Sequence, residues 1–156
     1  MAAAIDPFDV REAVAGDLDG LIEVLSQLAD GRSTALPADR AASRRVLELI
    51  LSDPSRHLLV AVSGERVLGT VDVAIMQNLT HRGTPRAIVE NVVVADDARR
   101  RGVAAALMRR AIEIARSAGC SRVQLMSGRQ RTEAHAFYRS IGMEPVAEGF
   151  KIRFDS

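Results

Sequence analysis

Apolar positions along the chain switch between a helical and a strand period, and the switches divide it into elements. Asp9 to Ala13 is a short first strand. Asp17 stands where a helix cap is needed, and Leu18, Leu21, Ile22, Leu25, Leu28 and Ala29 then share one helical face, with Gly31 as the stop. Arg32 to Pro37 is a loop. A second helix runs from about Asp39 to Leu51 with Ala42, Val46, Leu49 and Ile50 inward, and Asp53-Pro54 ends it. The period then drops to that of strands. Leu58–Val62 and Val67–Ile75 flank Ser63-Gly64-Glu65-Arg66, the signature of a hairpin.

After a polar loop from Thr80 to Pro85, Ala87–Val94 is a near-continuous apolar strand broken only by Glu90 and Asn91. Helical spacing returns from Arg101 to Ala118. Val103, Leu107, Ala111, Ile114 and Ala118 form one inward series, and Ala104, Met108, Ile112 and Ala115 a second. Arg109, Arg110, Glu113 and Arg116 face out, and Gly119 ends the helix. Arg122–Met126 is a further strand, so this part is a strand–helix–strand unit that favours parallel pairing. A last helix from Thr132 to Ile141 stops at Gly142, and Phe150–Phe154 forms a closing strand. Helices first, then a hairpin, then a crossover predict an α/β chain with a mixed, helix-covered sheet rather than a doubly wound one.

Composition narrows the function. One domain spanning residues 1–156 is expected, long enough to bury roughly 68–70% of its unfolded surface. A formal net charge of +1 supplies no field for nucleic acid or a membrane surface, and 3% aromatic residues with no tryptophan offer little for base stacking. Cys120 is the single cysteine, which excludes an intrachain disulfide and a cysteine metal cluster. No carboxylate–histidine spacing suggests a metal. The start of the chain lacks the basic and apolar segments of a signal peptide, and no apolar run reaches membrane-span length. A cytoplasmic protein is expected.

The most informative segment is Arg99-Arg100-Arg101-Gly102-Val103-Ala104, where a turn passes into a helix. First-turn amides have no intrahelical acceptor, and the helix dipole adds positive charge there. Small residues let a ligand approach that backbone, so the segment suits a phosphate or pyrophosphate. Arginines at a helix start oppose the dipole preference, which makes better sense with an anion bound. A solvated arginine run is the plain alternative. The pattern is neither a P-loop, since no Gly-Lys-Ser/Thr follows, nor a dinucleotide fingerprint, since only one glycine is present.

Val92 to Met108 resembles the coenzyme-A-binding motif of the GNAT acyltransferase superfamily, Arg/Gln-x-x-Gly-x-Gly/Ala, and Arg99–Ala104 matches each fixed position. Ala134-His135-Ala136-Phe137-Tyr138, followed by Gly142-Met143, resembles the family's second segment. The resemblance is close from Ile88 to Phe154. It implies a mostly antiparallel sheet with splayed central parallel strands and about four helices. It implies that backbone groups of Val92, Val93 and Val94 bind the pantetheine arm and polarise a thioester carbonyl. It implies that the amides of Arg99, Arg100, Arg101, Gly102, Val103, Ala104 and Ala105 hold the pyrophosphate of acetyl-CoA. Arg131 stands where many members carry asparagine, a departure that touches one side-chain contact to the cofactor.

Two residues are candidates for proton transfer. Tyr138 is the only tyrosine and occupies the position that the family uses as general acid, although a core tyrosine with a wet hydroxyl is the ordinary reading. Glu90, in an otherwise apolar strand, must reach a cleft or be paired, with Arg86 or Arg122 as its plain partners. The functional reading is a partly buried general base that takes a proton from a substrate ammonium. Asn91 faces the opposite side unless a bulge intervenes. His57, His81 and His135 read as surface or supporting residues. The expected activity is N-acetyl transfer from acetyl-CoA to a small-molecule amine by direct attack. The basic loop Ser127–Arg131 leans that acceptor toward an acidic or phosphorylated metabolite. A CoA-binding sensor with little turnover, or a protein or peptide amine acetyltransferase, are the alternatives. Homodimers are common in the family, and the sequence does not choose an assembly state.

Overall fold

The structure, a computed structural model, describes residues 7–28 and 35–154. The elements run β1 (Asp9–Glu12), α1 (Leu18–Leu25), α2 (Arg40–Ser52), β2 (Arg56–Ser63), β3 (Arg66–Met76), β4 (Arg86–Val94), α3 (Val103–Ser117), β5 (Val123–Leu125) and α4 (Thr132–Ser140). The sheet order is β1-β2-β3-β4-β5, and β1 to β4 pair antiparallel. This is the mixed, mostly antiparallel α/β architecture, with four α-helices among the described residues. No helix among the described residues is long and apolar enough to cross a membrane. The chain divides into two compact units, one through Gln124 and one from Leu125.

The first unit is built around the β2–β3–β4 meander. Leu59, Val60, Ala61, Val71, Val73, Ala87 and Val89 are almost wholly buried because both faces of these strands are covered. Successive residues of a strand point to opposite faces, and Gly69 and Thr70 show which helices take which side. A Cβ on Gly69 would meet Val103 and Leu107 of α3, whereas Thr70 borders a cavity beneath α1 and α2. On the α3 side Val103, Leu107, Met108, Ala111, Ile114 and Ala115 are buried, in line with the two inward series. Ala118 lies outside that face and is exposed.

Several local expectations are corrected. Asp17 does not cap α1 with its side chain. Its carboxylate takes both Arg11 Nη atoms at 2.7 and 2.9 Å and the Val14 amide at 2.8 Å instead, which ties β1 to the turn that follows it. Val24 joins Leu18 and Leu21 on the buried face of α1, and Ala29 and Gly31 lie outside the described residues. In α2, Asp39 caps through Ala42 N, but Leu47 is the buried residue while Val46 and Leu49 are exposed. The inward face is therefore the Ser43–Leu47–Ile50 row, rotated from the expected one. The closing strand does not form. Phe150, Ile152 and Phe154 are more than 80% exposed, and no strand is assigned there.

Gly69 is required by close packing. An added Cβ would lie 2.9 Å from the Val93 carbonyl oxygen and 3.2 Å from the Leu107 and Val103 side chains. Backbone cannot yield as a flexible side chain can. Gly69→Ala is expected to lower unfolding free energy by about 1–3 kcal/mol, read as a lower urea midpoint at unchanged slope. An unchanged midpoint would show that β3, β4 and α3 do not pack this tightly.

Candidate active site

The decisive irregularity lies in β4. Asp72 pairs with Glu90 and Thr70 with Val93, so the single β3 residue between them faces two residues, Asn91 and Val92. That is a one-residue bulge, and Asn91 absorbs it with φ of 53°. Asparagine tolerates this left-handed conformation better than most side chains. The bulge takes Asn91 and Val92 out of the regular ladder, which resumes with Val93 opposite Thr70 and Val94 opposite Gly69. Val93 and Val94 are buried and Val92 is partly so.

Glu90 and Asn91 are both exposed, which corrects the expectation of a partly buried glutamate. The bulge bends β4 at this point and interrupts the alternation that would have buried one of them. Nor does Glu90 pair with Arg86 or Arg122. Arg122 donates to Gln124 Oε1 at 3.1 Å and Ser121 Oγ at 3.3 Å, and Arg86 Nε is buried with no partner. Among the described residues no hydrogen bond or ion pair engages the Glu90 carboxylate, so it is open to a ligand.

A second carboxylate stands beside it. Asp72 is buried, lies directly across the ladder from Glu90 and is held by the Arg56 guanidinium through both of its oxygens, Nε to Oδ1 being 3.1 Å. Arg56, two residues from Leu58, which is Asp72's partner on β2, shares this sheet face. Like charges directly opposite on a sheet repel, and Arg56 offsets that repulsion. Asp72 and, more weakly, Asp53 and Glu90 hold the Arg56 proton more firmly than usual. Within this group of three, one guanidinium stands against the two carboxylates of Asp72 and Glu90. Sequence reasoning passed over Asp72, although an acid in Thr70-Val71-Asp72-Val73 carries the same signal that singled out Glu90.

Beyond β4, the chain turns through Asp96–Ala98 into α3. Arg100 and Gly102 both have positive φ, 61° and 81°. Gly102 is the N-cap of α3, no side chain caps the helix, and its first turn holds no acidic residue. The first intrahelical bond runs from Ala106 N to Gly102 O at 3.0 Å, so the amides of Val103, Ala104 and Ala105 precede the helical ladder. Nothing lies within 4 Å of where a Gly102 Cβ would stand, so the glycine serves the backbone angle and the approach to it is open. Arg99 pairs with Asp96 at 3.0 Å on the surface, and Asp97 pairs with Arg66. Acids of the turn therefore partner part of the arginine run. Gln27 Oε1 accepts from Asp96 N at 2.9 Å and ties α1 to this turn.

In the second unit, Tyr138 is the buried residue of α4, with the Phe137 ring 5.5 Å away. Burial pushes its hydroxyl above the usual phenol value, and the charge of Arg131 partly offsets this. The phenol therefore keeps its proton at neutral pH. Arg131, the departure from the family pattern, is the N-cap residue of α4. His57 bonds Glu12, and His81 bonds Thr80 within its own loop. Burial raises the Cys120 thiol, which keeps it in the un-ionised form.

A model of the acetyltransferase (GNAT) family matches residues 24–143. The chain belongs to that family. Human N-acetyltransferase 8 is 33% identical over 100 residues, which span 64% of this chain and 44% of the relative, less than half its length. Among solved structures, a transcriptional regulator from Bacillus halodurans C-125 superposes with a TM-score of 0.88 at 33% identity, covering 95% of this chain and all of the other. AAC(6')-Iy, solved with the bisubstrate analog CoA-S-monomethyl-acetylneamine, shares the fold with a TM-score of 0.79 at 20% identity, over 96% of this chain and 99% of that one.

The head of α3 gives a local test. Gly102→Ala meets no obstacle in space but must hold φ of 81°, so it is expected to cost about 1–2 kcal/mol. Gly102→Asn should cost less, since asparagine tolerates that angle. Thermal unfolding of the three proteins checks the order, and equal melting temperatures would contradict the assigned backbone conformation.

Proposed function

We propose that this chain transfers the acetyl group of acetyl-CoA to the primary amine of a small molecule, with both substrates bound together. The observation that carries the reading is the head of α3. There, the amides of Val103, Ala104 and Ala105, which precede the helical ladder, follow a left-handed glycine with open space beside it, in an uncapped, acid-free first turn. That donor set suits a diphosphate. Acetyl-CoA supplies an acyl thioester. The amides from Arg99 to Ala105 bind its pyrophosphate, and the backbone of Val92, Val93 and Val94 takes the pantetheine arm and polarises the carbonyl.

Glu90, exposed and unpaired, accepts a proton from the acceptor's ammonium, directly or through water. Tyr138, held protonated by burial, donates to the departing thiolate. A C–N bond forms and the C–S bond breaks. The ammonium gives up two protons, the first to Glu90, and the sulfur gains one from Tyr138; one of the two returns to Tyr138 by way of solvent and the other is released, which restores both side chains. Attack is direct, so no covalent enzyme intermediate is required and Cys120 has no part in it.

Thiol release from acetyl-CoA in the presence of an amine tests this reading. Glu90→Gln and Tyr138→Phe are each expected to lower kcat by about 10²-fold, the smaller end of general acid–base effects, with little change in CoA affinity by calorimetry. Unaltered kcat in both variants would remove the two residues from the chemistry and favour a binding module over this mechanism.

A further inference from the structure

Beneath α1 and α2, against the face of β2–β4, lies a cavity of about 110 Å³ that reaches Asn91 at the bulge. Leu21 and Leu25 of α1, Leu47 of α2 and Leu58 of β2 supply apolar walls, and Asp72 and Asn91 supply the polar end. Among the described residues, no arginine, lysine or histidine lines it. An acid or phosphate seated there would meet apolar carbon and a carboxylate, both unfavourable for an anion. A cation fares differently. The Arg56–Asp72–Glu90 group carries one net negative charge, and the Asn91 carboxamide makes no hydrogen bond among the described residues, so its oxygen is free to accept. An apolar cavity of about 150 Å³ holds a benzene ring, which sets the scale of the occupant here.

We infer that the acceptor is a primary ammonium on a compact apolar body, a branched four- or five-carbon chain or a single ring. The body fills the cavity beneath α1 and α2, and the ammonium faces Asn91 and Asp72, with Glu90 across the ladder from Asp72. This inference rests on the acetyl-transfer reading and names its acceptor class, against the acidic or phosphorylated acceptor suggested by the Ser127–Arg131 loop. Asp72, held by Arg56, is the specificity-determining acid, and Glu90 is the group that takes the proton.

Thiol release is measured with ethylamine, propylamine, isobutylamine, isoamylamine, benzylamine and glucosamine 6-phosphate, alongside calorimetric titration with CoA. Each methylene that enters the cavity is expected to raise kcat/KM about fourfold, so isoamylamine should exceed glucosamine 6-phosphate by more than tenfold. Leu25→Phe, which narrows the cavity, should raise KM for isoamylamine at least tenfold while leaving the ranking of ethylamine and propylamine intact. A preference for the sugar phosphate, or CoA binding with no amine of the series turned over, overturns the acceptor class and leaves the donor site standing. No saturable CoA binding overturns the acetyl-transfer reading, and this inference with it.

Discussion

One extra residue in β4 sets the geometry on which the rest depends. If β4 continued its pairing with β3 without interruption, Glu90, Asn91 and Val92 would alternate between faces. Asn91 at φ of 53° breaks that regularity. Two consecutive polar side chains become exposed, the neighbouring peptide groups leave the ladder, and the strand re-enters register at Val93. The cost of a left-handed asparagine is modest, of order 1 kcal/mol. The packed strands around it, buried on both faces, hold the bend in place.

The same strand sets the position of the helix that follows. Gly69 lets β3 approach the Val93 carbonyl and the α3 side chains Val103 and Leu107. The head of α3 therefore sits on a sheet that cannot easily slide. Its exposed amides and the bulge come from one continuous stretch of chain, so a single backbone path presents both. On the other face the electrostatics are arranged by pairing. Asp72 would be costly to bury alone, and Arg56 makes its charge tolerable while no hydrogen bond ties down the neighbouring Glu90 among the described residues.

Much of this was legible in the sequence. The β2–β3 hairpin was readable because apolar runs flank a Gly64-containing turn, and α3 because its two inward series and Gly119 leave little choice. The Arg99–Ala104 segment pointed to the helix head that the structure displays. The bulge was not readable, because a run of β-branched residues satisfies either register and only the tolerance of asparagine for positive φ hints at the break. The face of α2 was misread because its apolar residues outnumber the places that can be buried, and Leu49 is left 70% exposed. The alternation of Phe150, Ile152 and Phe154 has a strand period, but period specifies a face and not a partner, and no ladder is present there. Asp72 escaped notice because its importance comes from register with Glu90, a non-local fact.

The central claim is that the bulged strand and the head of α3 together receive CoA. Backbone amide shifts in ¹⁵N spectra recorded during a CoA titration test it most directly. Saturable changes concentrated at Asn91–Val94 and Arg99–Ala105, largest at Gly102 and Val103, are expected. Saturable changes centred elsewhere, with those two segments unmoved, would contradict it.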